Sequence, residues 1–265
     1  MSDNGIPADL RDALAAAARV GRLLVASDYD GCVSPLVDRP EDAVPNPASI
    51  AAIEAAGELP DTAAAVVSGR ELAVLTKLSG LAAPVTLVGS HGSEFESGFA
   101  EEITPQRQAL LDRLIAELRS IAADRLGAMV ETKPASTTLH VRNVADADDR
   151  AAALAAARSG PATLPGVQIT EGKDIIELAV IETSKGHALD VLRQRERADA
   201  VIYLGDDVTD EKAFAHLDPA RGDVGVKVGG GDTIAGHRVA DTDDVAAVLE
   251  SVVSTRREWL SRKKR

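Results

Sequence analysis

Three short apolar runs in this sequence each stop abruptly at a polar signature. That repeated break constrains the fold more than any other feature. Leu23-Leu24-Val25-Ala26-Ser27 runs into Asp28-Tyr29-Asp30-Gly31, Ala63–Val67 into Ser68-Gly69-Arg70, and Ala200–Leu204 into Gly205-Asp206-Asp207-Val208-Thr209-Asp210-Glu211. Runs without polar alternation read as strands buried on both faces, the kind found in parallel sheets covered by helices. Asn46-Pro47 reads as an N-cap followed by Pro at the first helical position, opening a helix over Ala48–Leu59. A helix over Glu71–Leu78 and a strand over Val85–Val88, closing on Gly89-Ser90-His91-Gly92, continue the rhythm. Later come a helix over Lys185–Arg197, a strand over Val224–Val228 before Gly229-Gly230-Gly231, and a final helix over Val245–Leu260. Its basic tail, Arg262–Arg265, reads as a solvated helix end favoured by the dipole. Strands alternating with helices predict an α/β core with a doubly wound parallel sheet.

The middle of the chain breaks this rhythm. Thr104-Pro105 starts a helix carrying Leu110, Leu111, Leu114, Ile115, Leu118 and Ile121 at helical spacing. Strands Met129–Lys133 and Thr137–Arg142 follow, then an alanine-rich helix over Ala145–Ser159. Strands Val167–Glu171 and Asp174–Val180 complete the segment, with Gly172-Lys173 as the hairpin turn. The order αββαββ implies antiparallel pairing, so we expect an inserted α+β domain over residues 104–181 inside a core formed by 1–103 and 182–265. Period-2 alternation sets its faces. Glu131 and Lys133 share one face, as do His140 and Arg142. Lys173, Ile175 and Glu177 oppose Ile176, Leu178 and Val180. One sheet face is thus apolar and packs on helices. The other carries charge and is either solvated or turned to a polar ligand.

Composition narrows the function. Lys plus Arg is 29 against 42 for Asp plus Glu, a net charge of −13, which argues against nucleic acid or an anionic membrane as partner. Aromatics at 2% exclude stacking platforms for single strands. No apolar run approaches about 18 residues, and Met1–Leu10 carries two Asp where a leader needs basic residues. One cysteine, Cys32, allows no internal disulfide and fits a reducing compartment, so a cytoplasmic setting is expected.

In an open parallel sheet, ligands bind at the carboxyl ends of the strands, so signatures far apart in sequence can converge there. Asp28, Asp30 and Asp206 brought together would repel unless a cation neutralised them. Oxygen ligands with open positions suit Mg²⁺. An Asp carboxylate can attack phosphorus and form an aspartyl-phosphate, and the rest of phosphoryl transfer needs mainly positioning and charge neutralisation. Lys185 opening a helix, the Ser68 hydroxyl and backbone N–H groups eased by Gly31 would supply both. Asp30, two residues beyond Asp28, is placed to protonate a leaving alcohol and then activate water. Each element alone has a bland origin: an Asp-Gly turn, a Ser cap, a solvated helix-opening lysine. A calcium loop fails, because the twelfth position meets Arg39 from Asp28 and Leu217 from Asp206. The joint occurrence, each at the end or start of the right element, points to phosphoryl transfer.

Asp28-Tyr29-Asp30-Gly31, Ser68-Gly69-Arg70, Lys185-Gly186 and Gly205–Glu211 resemble the four signatures of the haloacid dehalogenase-like phosphatases. From about Leu23 to Leu249 the chain resembles the trehalose-6-phosphate phosphatases within that superfamily, through GDDVTDEKAF (Gly205–Phe214), GSHGSE (Gly89–Glu94) and VETKPASTTLHVR (Val130–Arg142). The resemblance implies a Rossmann-like core of that type and an inserted cap. It implies Asp28 as nucleophile and Asp30 as acid/base. Mg²⁺ would be held by the side chains of Asp28 and Asp206 and the main-chain oxygen of Asp30, with Asp207 and Asp210 supporting it. Ser68 and Lys185 would bind the phosphoryl group, with Gly31, Gly69, Arg70, His91 and Gly92 beside the substrate. Glu131, Lys133 and Glu177 match the cap positions that grip the distal sugar, with His140 and Arg142 on the same sheet. The implied substrate is trehalose 6-phosphate, with functional coupling to a trehalose-phosphate synthase and no nucleic-acid or membrane partner. Two positions depart from the family. Cys32 stands where Thr is usual, and Ala179-Val180 follows Glu177-Leu178 where Arg-Pro is frequent. The second departure leaves another glycosyl or pseudo-disaccharide phosphate as the alternative substrate.

Overall fold

A computed structural model describes residues 6–37, 39–99, 102–181 and 184–263. Of the sequence expectations, residues 1–5 of the acidic N-terminus, residues 182–183 at the start of the second core segment and residues 264–265 of the basic tail lie outside the described residues. The chain divides into two compact units: Met1–Ala100 with Ser184–Arg265, and Glu101–Thr183.

The first unit is built on one mixed sheet. Its elements are α1 (Ala8–Ala17), β1 (Leu23–Ser27), α2 (Pro47–Gly57), β2 (Thr62–Val67), α3 (Leu72–Ser79), β3 (Thr86–Gly89), β4 (Glu94–Phe95) and β5 (Gly98–Phe99). The second unit then contributes α4 (Pro105–Ala123), β6 (Met129–Thr132), β7 (Ser136–His140), α5 (Ala147–Ser159), β8 (Gln168–Gly172) and β9 (Ile175–Ala179). The first unit resumes with α6 (Lys185–Glu196), β10 (Ala200–Gly205), α7 (Val208–Phe214), β11 (Val224–Val228), β12 (His237–Val239) and α8 (Thr242–Lys263).

The strand order β12-β11-β10-β1-β2-β3-β4-β5 puts β1 at the centre, and every pair from β12 to β3 is parallel. The expected doubly wound sheet is therefore present. Because β1 and β2 are joined on one side while β10 arrives from far along the chain on the other, the strand order reverses between β1 and β10. That is where an open sheet offers a crevice at its carboxyl edge. Alternate residues feed two apolar layers. Leu23, Val25, Ala64, Val66, Ile202 and Leu204 pack with Leu10 and Leu14 of α1, Ile53 of α2 and Val248, Leu249 and Val252 of α8. Leu24, Ala26, Ala65, Val67, Val201 and Tyr203 pack with Leu189 and Leu192 of α6 and Phe214 of α7.

The second unit has the expected αββαββ order and a four-stranded antiparallel sheet, β6-β7-β9-β8. Thr104 caps α4, its side chain accepting from the Arg107 N–H, and Asp146 caps α5. Leu139, Val141, Ile176, Leu178 and Val180 form one apolar face against Leu111, Leu114 and Leu118 of α4 and Ala153 and Ala157 of α5.

Two local expectations are corrected. The hairpin turn is Lys173-Asp174, one residue later than Gly172-Lys173, because Gly172 still pairs with Ile175. Asp174 takes the left-handed φ of 60°, which a short polar side chain tolerates. Strand β7 ends at His140, so Arg142 lies beyond it in an exposed turn rather than on the strand. Four elements go beyond the periodicity argument: α1, the β4–β5 hairpin, the seven-residue α7 and the three-residue β12. The last three are too short for a periodic pattern to register.

Candidate active site

Asp28 follows the last residue of β1, and its N–H donates to the Leu204 carbonyl of β10 at 2.9 Å. This parallel register places Asp28 beside the start of the Gly205–Asp207 loop. Oxygens of Asp28, Asp206, Asp207 and Asp210 all lie within 4.8 Å of one another. The two distant acidic signatures therefore meet at the reversal point of the sheet.

Buried Lys185, the first residue of α6, links them. Its Nζ lies 2.7 Å from Asp28 Oδ2 and 2.8 Å from Asp210 Oδ1. Ser184 starts the helix, accepting the His187 N–H with its hydroxyl oxygen, and so fixes where Lys185 emerges. Asp210 is the hub. Its Oδ1 also accepts the Tyr203 hydroxyl at 2.6 Å, and its Oδ2 accepts the N–H groups of Asp206 and Asp207 at 2.9 and 3.0 Å. Asp207 caps α7 in a reciprocal capping box with Asp210. The third and sixth residues of the Gly205–Asp210 signature are thus consumed in shaping the loop.

Burial sets the electrostatics. It pushes the Asp28 carboxyl up, against the pull of Lys185. It would push the Lys185 ammonium down, but Asp28 and Asp210 outweigh it and hold that group charged. Burial, then Asp210 and Asp207, push Asp206 up to about 6. Asp207 moves down despite its burial, drawn by Lys185 and the Thr209 hydrogen bonds.

These residues fit a hard divalent cation. Asp210 is committed to four donors and Asp207 to its cap, whereas the Asp206 carboxylate accepts no hydrogen bond among the described residues. Asp206 is thus the uncommitted carboxylate; Asp28, whose Oδ1 accepts the Tyr29 N–H at 2.7 Å and whose Oδ2 meets Lys185, lies beside it, and oxygen-only donors with open positions suit Mg²⁺. Gly31 makes room: its φ is +77°, and a Cβ there would sit 2.0 Å from Asp206 Oδ2. Gly31→Ala should cost about 1–2 kcal/mol in chemical denaturation through left-handed strain and displacement of Asp206. An unchanged midpoint would show that the loop yields freely.

The second strand signature lines the same carboxyl edge. Ser68 is fully buried, and its Oγ accepts the Arg70 N–H at 3.1 Å, leaving its own hydrogen free to donate. The Arg70 guanidinium is committed to partners within the chain. It forks onto Asp30, Nε to Oδ2 at 2.7 Å and Nη2 to Oδ1 at 2.6 Å, while Nη1 donates to the Pro40 carbonyl at 2.8 Å. His91 has a φ of 55°, and its imidazole covers Gly69, where a Cβ would meet Cε1 at 2.5 Å. Gly92, at φ +106°, lets the backbone pass against the Ser184 carbonyl. Glu94 closes this corner, accepting the Leu72 N–H that α3 leaves uncapped and the Ser90 hydroxyl.

In the second unit, register aligns Glu131, Thr138, Glu177 and Thr170 across the four strands. Glu177 Oε1 accepts Ser136 at 2.6 Å and Lys133 at 3.2 Å, and His140 Nε2 lies 2.8 Å from Glu131 Oε2. The His140 hydrogen bond, with Lys133 nearby, holds Glu131 below its usual range. Thr138 Oγ1 is buried there without a partner among the described residues. The expected charged face thus exists as two hydrogen-bonded groups, Lys133 and Ser136 on Glu177 and His140 on Glu131. Arg142 stands outside both, with no hydrogen bond or ion pair to either.

Sequence reasoning missed Tyr203 and Lys227. Both lie in strands that otherwise read as wholly apolar, AVIYLG and VGVKV, and a lone polar group in a doubly covered strand is the signal that was available. The Lys227 ammonium donates to the Asp206 carbonyl.

The family model described as trehalose-phosphatase matches residues 26–244. The chain belongs to the trehalose-phosphatase family. It is 35% identical to the trehalose-phosphate phosphatase of Mycobacterium marinum over 227 residues, covering 80% of this chain and 57% of that protein. It is 28% identical to the trehalose-6-phosphate phosphatase of Escherichia coli over 232 residues, covering 86% of this chain and 85% of that protein. The chain therefore spans little more than half of its mycobacterial relative. Its fold matches the C-terminal domain of the Candida albicans trehalose-6-phosphate phosphatase with a TM-score of 0.76 at 22% identity, over 96% of this chain and 99% of that one. No helix among the described residues is long and apolar enough to cross a membrane.

Proposed function

We propose that this chain hydrolyses trehalose 6-phosphate to trehalose and phosphate, with Mg²⁺, through an aspartyl-phosphate on Asp28. The observation that carries this reading is the convergence of Asp28, Lys185 and Asp206 at the sheet's reversal point in a chain of this family. The Asp28 and Asp206 side chains and the Asp30 main-chain oxygen would hold the metal, which when bound supplies positive charge against the phosphoryl oxygens. Asp28 attacks phosphorus, and the bond from phosphorus to the sugar oxygen breaks. Asp30, having freed one oxygen from the Arg70 fork and taken up a proton there, gives that proton to the sugar oxygen, then takes one from the water that attacks the phosphoryl group and releases Asp28. Arg70 fixes where the Asp30 carboxylate sits. Lys185 and the Ser68 hydroxyl neutralise and bind the phosphoryl oxygens, with backbone N–H groups beside Gly31 and Gly69. Asp207 and Asp210 hold the loop that carries Asp206. The lone, buried Cys32 fits a reducing, cytoplasmic setting.

The test is a panel of sugar phosphates with inorganic phosphate as readout. Trehalose 6-phosphate should be cleaved best, chelation should stop the reaction and Mg²⁺ should restore it. Preferred cleavage of another glycosyl phosphate would move the substrate while keeping the chemistry. Ala179 and Val180 are both buried, so neither offers a charged side chain to a sugar at the end of β9.

Recognition of the distal sugar is assigned to Glu131, Lys133, His140 and Glu177, whose paired donors and acceptors suit hydroxyl groups. Glu131→Ala and Lys133→Ala should each lower kcat/KM for trehalose 6-phosphate about tenfold or more. Hydrolysis of p-nitrophenyl phosphate, which has no second sugar, should barely change. Equal losses on both substrates would show that these side chains do not read the sugar.

A further inference from the structure

Lys227 belongs to none of the signatures that identify the site, yet it touches the loop that carries Asp206. It lies on β11 between Val226 and Val228, which pack into the apolar layer with α1 and α8, so period-2 geometry sends the lysine to the opposite face. It is only 4% exposed. Gly205 of β10 is its register partner, and its Nζ donates to the main-chain carbonyl of Asp206. A carbonyl is satisfied by any neutral donor. A buried ammonium beside a site that must admit a dication is unfavourable twice, through its own desolvation and through repulsion of the incoming ion. Its effect on the loop accounts for its presence. The Asp206 N–H is held by Asp210 Oδ2 and its carbonyl by Lys227, so the residue is pinned on both sides and only its carboxylate remains uncommitted.

We propose that Lys227 is a positioning residue for metal uptake: by holding the Asp206 carbonyl it aims the Asp206 carboxylate at the ion shared with Asp28. The inference rests on the Mg²⁺ reading of the site given above. Charge alone predicts the opposite sign, since deleting the lysine makes the site more negative and should tighten cation binding.

Calorimetric titration of the full chain with Mg²⁺, without substrate, separates the two. K227M should bind Mg²⁺ about tenfold more weakly than wild type, the scale of losing a group that orients a ligand. K227R, which keeps a donor, should stay within about threefold. K227M binding as tightly as wild type or more tightly would overturn the inference. So would K227R binding as weakly as K227M, which would reduce Lys227 to a packing group. Thermal unfolding checks that each variant is folded, and K227L, which also lacks a donor, replaces K227M with the same expectation if the latter is not. Absence of Mg²⁺ uptake by the wild type would bring down the reading of the site and this inference together. A wild type that binds and a K227M that binds equally would bring down the inference alone.

Discussion

Asp28→Asn should reduce phosphate release from trehalose 6-phosphate by at least about 10⁴-fold, because an amide cannot form the acyl phosphate on which turnover depends. The substitution keeps shape and volume. Lys185 retains Asp210, 2.8 Å away, so the buried ammonium is not orphaned. The backbone bond from the residue-28 N–H to the Leu204 carbonyl also survives. The loss should therefore appear in kcat with the thermal midpoint little changed. Phosphate release by the folded variant at more than about a hundredth of the wild-type rate would mean that another group attacks phosphorus.

Arg256→Ala should destabilise the protein by about 3–5 kcal/mol, the scale of removing a buried charged hydrogen-bonding group together with its packing. Arg256 on α8 is fully buried, and no carboxylate among the described residues pairs with it. Its guanidinium instead ties together the segments that start the two central strands. It donates to the carbonyls of Ala18, Val20 and Gly21, which lead into β1, and to the carbonyl of Asp61 and the hydroxyl of Thr62 at the start of β2. Burial pulls this guanidinium below its ordinary pKa, against Asp61 and Asp199. Truncation removes the donor from the buried Ala18 carbonyl and from four partly buried acceptors and opens a cavity. Arg256→Lys should recover only part of the loss, since three donors on one nitrogen cannot span five acceptors. Urea unfolding measures both. A cost below about 1 kcal/mol for the alanine variant would show that water replaces the guanidinium at little penalty.

Arg256 and Asp28 were unequally legible. Asp28 closes an apolar run and begins a recognisable signature, so its place at the sheet edge followed from pattern alone. Arg256 lies in an amphipathic helix where an arginine reads as solvated, and its acceptors belong to residues roughly 200 positions away in the chain. Arg70 shows the same limit in the site itself. Its position after β2 was readable, but its partner, Asp30, was not.

The sequence by itself determined the longer strands and helices, the αββαββ order of the middle segment, which face of its sheet is apolar, and which carboxylates stand at strand ends. These properties follow from burial periodicity and from caps acting over three or four residues, so they are written locally. Only the tertiary structure decided which buried polar groups hold one another: Tyr203 on Asp210, Lys227 on the Asp206 carbonyl, Arg70 on Asp30, Arg256 across two strand entrances. Such pairs form because a buried donor or acceptor must find a partner wherever folding brings one, and that location depends on the whole chain path.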